Sequence, residues 1–268
     1  MNKNYFPSTG KLDEKRLEIN NKIYNPVTFS FMLEHGLKEG MTALEIGCGY
    51  GHTAIWIAKI VGHTGRVFAI DFSFDTLEIA KKNAKNEGLN NIEFIHLDIN
   101  NISSLNQSFD FCYGRWVIEF CKDPLNILKK LYNKLNPNGI LIYEALNFSN
   151  SGNFSLNTQS AIANYHQAST KNAILNGAEP NLADNLFSYF KKIGFYKISA
   201  KFHQPFLNTK EQKSVYSLGF LSSKNSYITN QVLTETEFEN ILEQLYSIEN
   251  NNDIATGFYS NLLIKGIK

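Results

Sequence analysis

The chain has 268 residues, 43% of them hydrophobic and 13% aromatic, enough apolar material to bury the core of one large domain. With 26 basic against 25 acidic residues, a net charge of +1 and no charge blocks, it lacks the electrostatic footprint of a phosphate-backbone binder, so nucleic acid is not an expected partner. No run nears the roughly 20 apolar residues that cross a bilayer, and the start, MNKNYFPSTGKLDEKRLE, is too polar for a secretory signal; no membrane association and a cytoplasmic location are expected.

The first forty residues read as a helical leader: one helix in KLDEKRLEINNKIY and a second in PVTFSFMLEHGL, with Pro26 at its start and Gly36 near its end. From Thr42 the pattern alternates. TALEIG, RVFAID, IEFIHLD, FDFCYGRW and GILIYEAL have the apolar, β-branched character of buried strands, and GHTAIWIAKIVG, SFDTLEIAKKNAKNEGL and PLNILKKLYNKL between them read as helices. Strands and helices in this alternation predict a doubly wound α/β domain with a mostly parallel sheet.

After Asn147 the regularity lapses. NFSNSGNFSLNTQS reads as a polar loop, AIANYHQASTKNAIL and NLADNLFSYFKKI as helices with Gly194 capping the second, and FYKISAKF as a strand. Residues 209–224 read as helical, Thr234 and Glu237 form a capping box for a helix through about Tyr246, and GFYSNLLIKGI closes the chain as a strand. No repeat or linker is evident. The simplest partition is a leader over residues 1–40, then one domain over 41–268 with insertions at about 148–190 and 205–256.

The chemistry starts at LEIGCGYGHT, where Gly47, Gly49 and Gly51 follow the first strand. In an open parallel sheet, ligands sit beyond the carboxyl ends of the strands, and an acid ending the second strand holds ribose hydroxyls; Asp71 stands there, 24 positions after Gly47. A dinucleotide fingerprint needs its third glycine at the sixth position, facing a pyrophosphate, and this chain has His52 there. The loop spacing and Asp71 by themselves leave two ligands open, a dinucleotide and S-adenosylmethionine. Cys48, Cys112 and Cys121 form no CxxC pair and read as packed thiols. His52, His63, His96 and His203 match no ligand spacing, so no metal is expected.

Taken in order, LEIGCGYG, RVFAIDFS, IEFIHLDI, FDFCYGRWVIEFCKDP and LNPNGILIYEAL resemble the motif series of the class I S-adenosylmethionine-dependent methyltransferases, from about Met41 to Asn147. The leader residues Glu14, Arg16 and Leu17, the GRWVIEF stretch and GAEPNLADNLFSYFKKIGFYKI are similar to a small-molecule, quinone-biosynthesis-like subgroup. The fold implied is a seven-stranded, Rossmann-like sheet with a helical leader and helical insertions before the last strands.

The resemblance implies S-adenosylmethionine as cofactor, S-adenosylhomocysteine as product and a small organic molecule as methyl acceptor at O, N or C. It implies that Glu45, Gly47, Cys48, Gly49 and Gly51 surround the methionine part of the cofactor, that Asp71 takes the ribose hydroxyls, that Phe72 and Ile99 flank the adenine and that Asp98 accepts from its amine. Gly114 and Arg115 fall where the family's backbone holds the methionine amino group. Tyr5 and Arg16 fall in a leader that acts as a lid in similar enzymes.

A general base is needed only if the acceptor must lose a proton. Glu144 and His166 are the candidates, with Glu119 and Tyr165 behind them. No Asp/Asn-Pro-Pro-Tyr sequence follows the fourth strand, which turns the reading away from bases and protein amides as acceptors. Two alternatives stay open at this level: a NAD-dependent oxidoreductase, and a non-catalytic S-adenosylmethionine binder. The oligomeric state is open, a homodimer being one option.

Overall fold

The computed structural model describes residues 10–148 and 159–268. Helix α1 (Lys11–Glu34) leads into a regular alternation: β1 (Thr42–Ile46), α2 (His52–Val61), β2 (Arg66–Asp71), α3 (Phe74–Asn86), β3 (Ile92–His96), β4 (Phe109–Arg115), α4 (Pro124–Lys134) and β5 (Leu135–Asn147). Next come α5 (Gln159–Leu175), α6 (Leu182–Ile193), β6 (Tyr196–His203) and β7 (Phe206–Leu207). The chain ends with α7 (Lys210–Ser222), α8 (Lys224–Thr229), α9 (Glu235–Asn250), β8 (Thr256–Gly257) and β9 (Ser260–Ile267).

Seven strands form one sheet in the order β3-β2-β1-β4-β5-β9-β6, and β1 to β5 pair in parallel. The order reverses at β1, which pairs with β2 on one side and β4 on the other, so the carboxyl ends of β1 and β4 open the crevice where such sheets take ligands. Alternation along the strands feeds two cores. Leu44, Ile46, Phe68 and Ile70 pack with Leu128, Leu186 and Phe190 on one face. Ala43, Val67 and Ala69 pack with Met32, Ile57 and Leu77 on the other. Burial on both faces explains why these strands are almost continuously apolar.

The described residues fall into two compact units. The sheet unit holds Val27–Ala145, Leu182–Phe202 and Leu262–Lys268. The helical unit holds the described residues as far as Pro26, those from Leu146 to Asn181, and His203–Asn261. Its interior is aromatic: Phe220 stacks on Phe238 at 4.4 Å, and the Tyr24 hydroxyl donates to the Tyr259 carbonyl at 2.7 Å.

Most expected elements stand where the sequence put them. Ser73 caps α3, Gly194 ends α6 with φ of 112°, and the Thr234–Glu237 box starts α9, which runs to Asn250 rather than Tyr246. The leader is corrected. Its two expected helices are one, with Pro26 inside α1. An interior proline costs a helix about 3 kcal/mol, and the turns on either side are held by fully buried, hydrogen-bonded Tyr24 and Thr28. β5 begins earlier than expected, at Leu135, which pairs with Phe109; the register then shifts between Phe109 and Phe111, so that Ile140 is the next residue paired. The short β7–β8 pair was not expected. Residues 149–158 of the polar loop, and Tyr5, lie outside the described residues.

Candidate functional site

The loop after β1 turns on left-handed glycines. Gly47 has φ of 64° and Gly49 of 51°, a region that side chains rarely adopt. The two differ in what surrounds them. A Cβ on Gly47 would lie 2.2 Å from Val117 Cγ2, so the turn after β4 leans on the loop there. A Cβ on Gly49 would meet nothing within 4 Å, leaving that stretch of main chain open to an approaching ligand. Across the crevice Gly114 pairs with Ile46, whose side chain fills the place of a Cβ on Gly114.

Asp71 ends β2 and faces the loop. Its Oδ2 accepts from the Gly49 N–H at 2.9 Å and its Oδ1 from the Ser73 N–H at 2.9 Å. Burial raises its pKa, and the N–H groups of Ser73, Gly49 and Phe72 oppose the shift. A carboxylate has about four acceptor sites, and these N–H groups leave part of that capacity for a hydroxyl donor. Beyond it Phe72 is half exposed, Asp98 Oδ1 accepts from the backbone and side chain of Asn100 at 2.8 Å, and Ile99 is buried.

Glu45, the penultimate residue of β1, is buried, and its Oε2 has no hydrogen-bond partner. Desolvation pushes its pKa up to about 8 against the pull of the Arg115 charge, the Ala54 N–H and the Thr53 hydroxyl. A buried carboxylate oxygen without a partner costs free energy and calls for an explanation; a cationic or N–H donor arriving at the loop supplies one.

On the opposite strand, Glu144 is wholly buried. Its Oε2 accepts from Thr28 Oγ1 at 2.8 Å and from the Tyr113 hydroxyl at 2.9 Å, with Arg115 Nη1 at 3.8 Å. Trp116, next in the chain, has φ of 57°, an outlier for a bulky side chain of the kind concentrated at functional sites.

In the helical unit, Arg16 binds Asp13 Oδ1 through Nε and Nη2 at 3.0 and 2.6 Å. His166 sits among Tyr259, Tyr165 and Tyr216, ring centroids 4.6, 5.3 and 6.1 Å away. Both its ring nitrogens are buried without a hydrogen-bond partner, and burial lowers its pKa to about 4, leaving the imidazole neutral at pH 7.

A sequence profile described as a methyltransferase domain matches residues 37–244. The chain belongs to the methyltransferase-domain family. The demethylmenaquinone methyltransferase of Staphylococcus saprophyticus is 34% identical over 111 residues, 41% of this chain and 47% of that protein. The chain therefore spans about half the length of the curated relatives it matches. Among solved structures, a SAM-dependent methyltransferase from Aquifex aeolicus superposes with a TM-score of 0.54 at 15% identity, over 97% of this chain and 100% of that one. Phosphoethanolamine N-methyltransferase 2 of Haemonchus contortus, solved with phosphomonomethylethanolamine and S-adenosylhomocysteine, superposes at 0.53 and 15% identity, over 99% of this chain and 54% of that one. The seven-stranded Rossmann-like fold is thus the fold of methyltransferases that use S-adenosylmethionine, and nothing in these likenesses supports a dinucleotide oxidoreductase.

In this methyltransferase fold, Glu45, Gly47, Cys48, Gly49, Gly51, Asp71, Phe72, Asp98, Ile99, Gly114 and Arg115 all lie in the sheet unit, at or just beyond the ends of its strands. Arg16 and His166 lie in the helical unit, and Glu144 in the sheet unit beneath Arg115. Cys48, Cys112 and Cys121 are buried free thiols. Among the described residues no His, Cys, Asp and Glu group is placed to hold a metal, and no helix is long and apolar enough to cross a membrane. Sequence reasoning missed Thr28, Tyr113, Tyr143 and Trp116. Only Trp116 carried a signal, its place directly after the Gly114–Arg115 strand end.

Proposed function

We propose that this chain binds S-adenosylmethionine at the carboxyl ends of β1, β2 and β3 and transfers a methyl group to a small organic acceptor. The observation that carries the reading is the pairing of an open Gly49 main chain with a buried, partnerless Glu45 oxygen and the Asp71 carboxylate. That donor set suits a zwitterionic ligand with an ammonium group and a ribose, and the residues present fit it. When bound, the cofactor's sulfonium supplies an already activated methyl group.

The chain's own residues then have limited chemistry to perform. Glu45 accepts from the ammonium group, Asp71 accepts from the ribose hydroxyls in charge-assisted bonds, and Asp98 accepts from the adenine amine beside Phe72 and Ile99. Glu144, with its carboxylate engaged by Thr28, Tyr113 and Arg115, we assign to holding Arg115 in place rather than to proton abstraction. Within the helical unit we assign acceptor recognition to His166: a neutral imidazole offers one N–H donor and one acceptor to a hydroxyl, and its aromatic surroundings favour a flat ring of the kind named for the staphylococcal relative. Transfer from an activated sulfonium then needs mainly the positioning of donor and acceptor, which can supply much of the rate.

Calorimetric titration of the purified chain tests the cofactor, with S-adenosylhomocysteine expected to bind and NADH not; binding of NADH alone overturns the reading. Incubation with methyl-labelled donor and a cell extract tests the reaction. Label is expected in a small-molecule fraction, and labelling of nothing indicates a non-catalytic binder.

A further inference from the structure

The turn after β4 carries an unusual lock. Val117 and Ile118 have main-chain N–H groups pointing at one atom, the hydroxyl oxygen of Tyr143 on β5, at 2.9 and 2.7 Å. The same hydroxyl donates to Glu119 Oε2, and both side chains are wholly buried. A tyrosine oxygen thereby satisfies two amides of the turn that otherwise need another acceptor. Burial and the adjacent Glu119 hold the tyrosine pKa well above its ordinary value, so the hydroxyl keeps its proton for the carboxylate.

The locked turn matters because of what flanks it. Trp116 immediately precedes it at φ of 57°, a conformation that persists only where the surroundings over-determine it. Its N–H is tied to the Glu144 carbonyl at 3.1 Å, and the Tyr143 hydroxyl ties the next two residues. Val117, held this way, presses on Gly47 of the glycine loop. Tyr143 and Glu144 are neighbours on one strand with side chains on opposite faces. Glu144 fixes Arg115 from one side of the β4 end, and Tyr143 fixes residues 117 and 118 from the other.

We propose that Tyr143, supported by Glu119, is a positioning residue for the cofactor pocket, its hydroxyl setting the turn after β4 against the glycine loop. This rests on the reading of that loop as the S-adenosylmethionine site. Tyr143→Phe keeps the ring and removes the lock, stranding two buried amides.

The test combines S-adenosylhomocysteine titration with amide hydrogen exchange of the free protein. In Tyr143→Phe the dissociation constant is expected to rise ~10-fold or more, the KM for the methyl donor to rise with kcat less affected, and exchange protection at residues 116–120 to fall while β1 to β3 stay protected. Glu119→Gln keeps an acceptor for the hydroxyl and is expected to rescue affinity to within ~3-fold of the parent, whereas Glu119→Ala falls between. Parental affinity in Tyr143→Phe overturns the proposal. If that variant does not fold, parental affinity in Glu119→Ala overturns it instead. Failure of the parent protein to bind S-adenosylhomocysteine overturns the cofactor reading alone, and the lock is then judged by exchange: unchanged protection at 116–120 in Tyr143→Phe refutes it.

Discussion

Replacing Glu45 by Gln is expected to make the ligand-free protein more stable and its cofactor site worse. The native carboxyl has its pKa raised from 4.5 to about 8, chiefly by burial. Between those two values the unfolded chain has released this proton and the native state still holds it, so stability falls as pH rises through the window. The loss is absent below about 4.5 and complete above about 8. At ~1.4 kcal/mol per tenfold change in proton affinity, the step from 4.5 to 8 sets a ceiling of ~5 kcal/mol; local relaxation and water entry make ~2 kcal/mol a more realistic gain for the neutral amide at pH 8. Urea unfolding of parent and variant at several pH values between 4.5 and 8.5, without ligand, reads the difference directly. The variant's advantage should grow with pH, while its affinity for S-adenosylhomocysteine falls ~10-fold or more, because the ligand's ammonium group favours the charged carboxylate and an amide cannot ionise. A constant stability difference across that range, or a variant less stable at pH 8, would refute the reasoning.

Three further outcomes follow from the same site. Asp71→Ala should weaken S-adenosylhomocysteine binding ~10- to 100-fold, in line with loss of charged hydrogen bonds of ~1.5–3 kcal/mol; calorimetry giving parental affinity would mean the loop holds something else. Gly47→Ala places a Cβ 2.2 Å from Val117 Cγ2 at a φ of 64°, and should lower stability by ~1–3 kcal/mol; an unchanged melting temperature would show that the turn after β4 does not lean on the loop. His166→Leu removes a buried group whose pKa is lowered to about 4, so the acid-side loss of stability between pH 6.5 and 4 should shrink while methyl transfer drops at constant cofactor affinity. Retained transfer in that variant separates His166 from the acceptor.

The proposed donor side of the site is legible because it is local. Each residue assigned to it from Glu45 to Arg115 lies on, or within a few residues of, the end of a parallel strand, and strand ends are marked by glycine, by an acid and by a change of hydrophobic period. Glu144 was visible for the same reason, but its buried contacts were not. Its burial depends on Thr28 from α1 and Tyr113 from β4, 116 and 31 positions away, and no spacing rule links them. Pro26 misled for a related reason. Local propensity ends a helix there, and burial of Tyr24 and Thr28 on either side overrides it.

The proposed acceptor side is illegible in principle rather than by oversight. The donor end needs main-chain geometry that only glycine permits and a carboxylate at a fixed register, and these leave marks in the sequence. An acceptor pocket needs only shape, and aromatic residues that shape it are the residues that also fill a core. Tyr165, Tyr216 and Tyr259 are each buried and each touch His166, so their spacing reads as ordinary packing. What distinguishes the place is a defect in that packing, two imidazole nitrogens buried with no hydrogen-bond partner. Glu45 shows the same defect on the donor side, where an accompanying motif already pointed to a ligand. Burying a carboxyl oxygen and two imidazole nitrogens without partners costs a fold free energy, and binding of a ligand is the compensation proposed for both places.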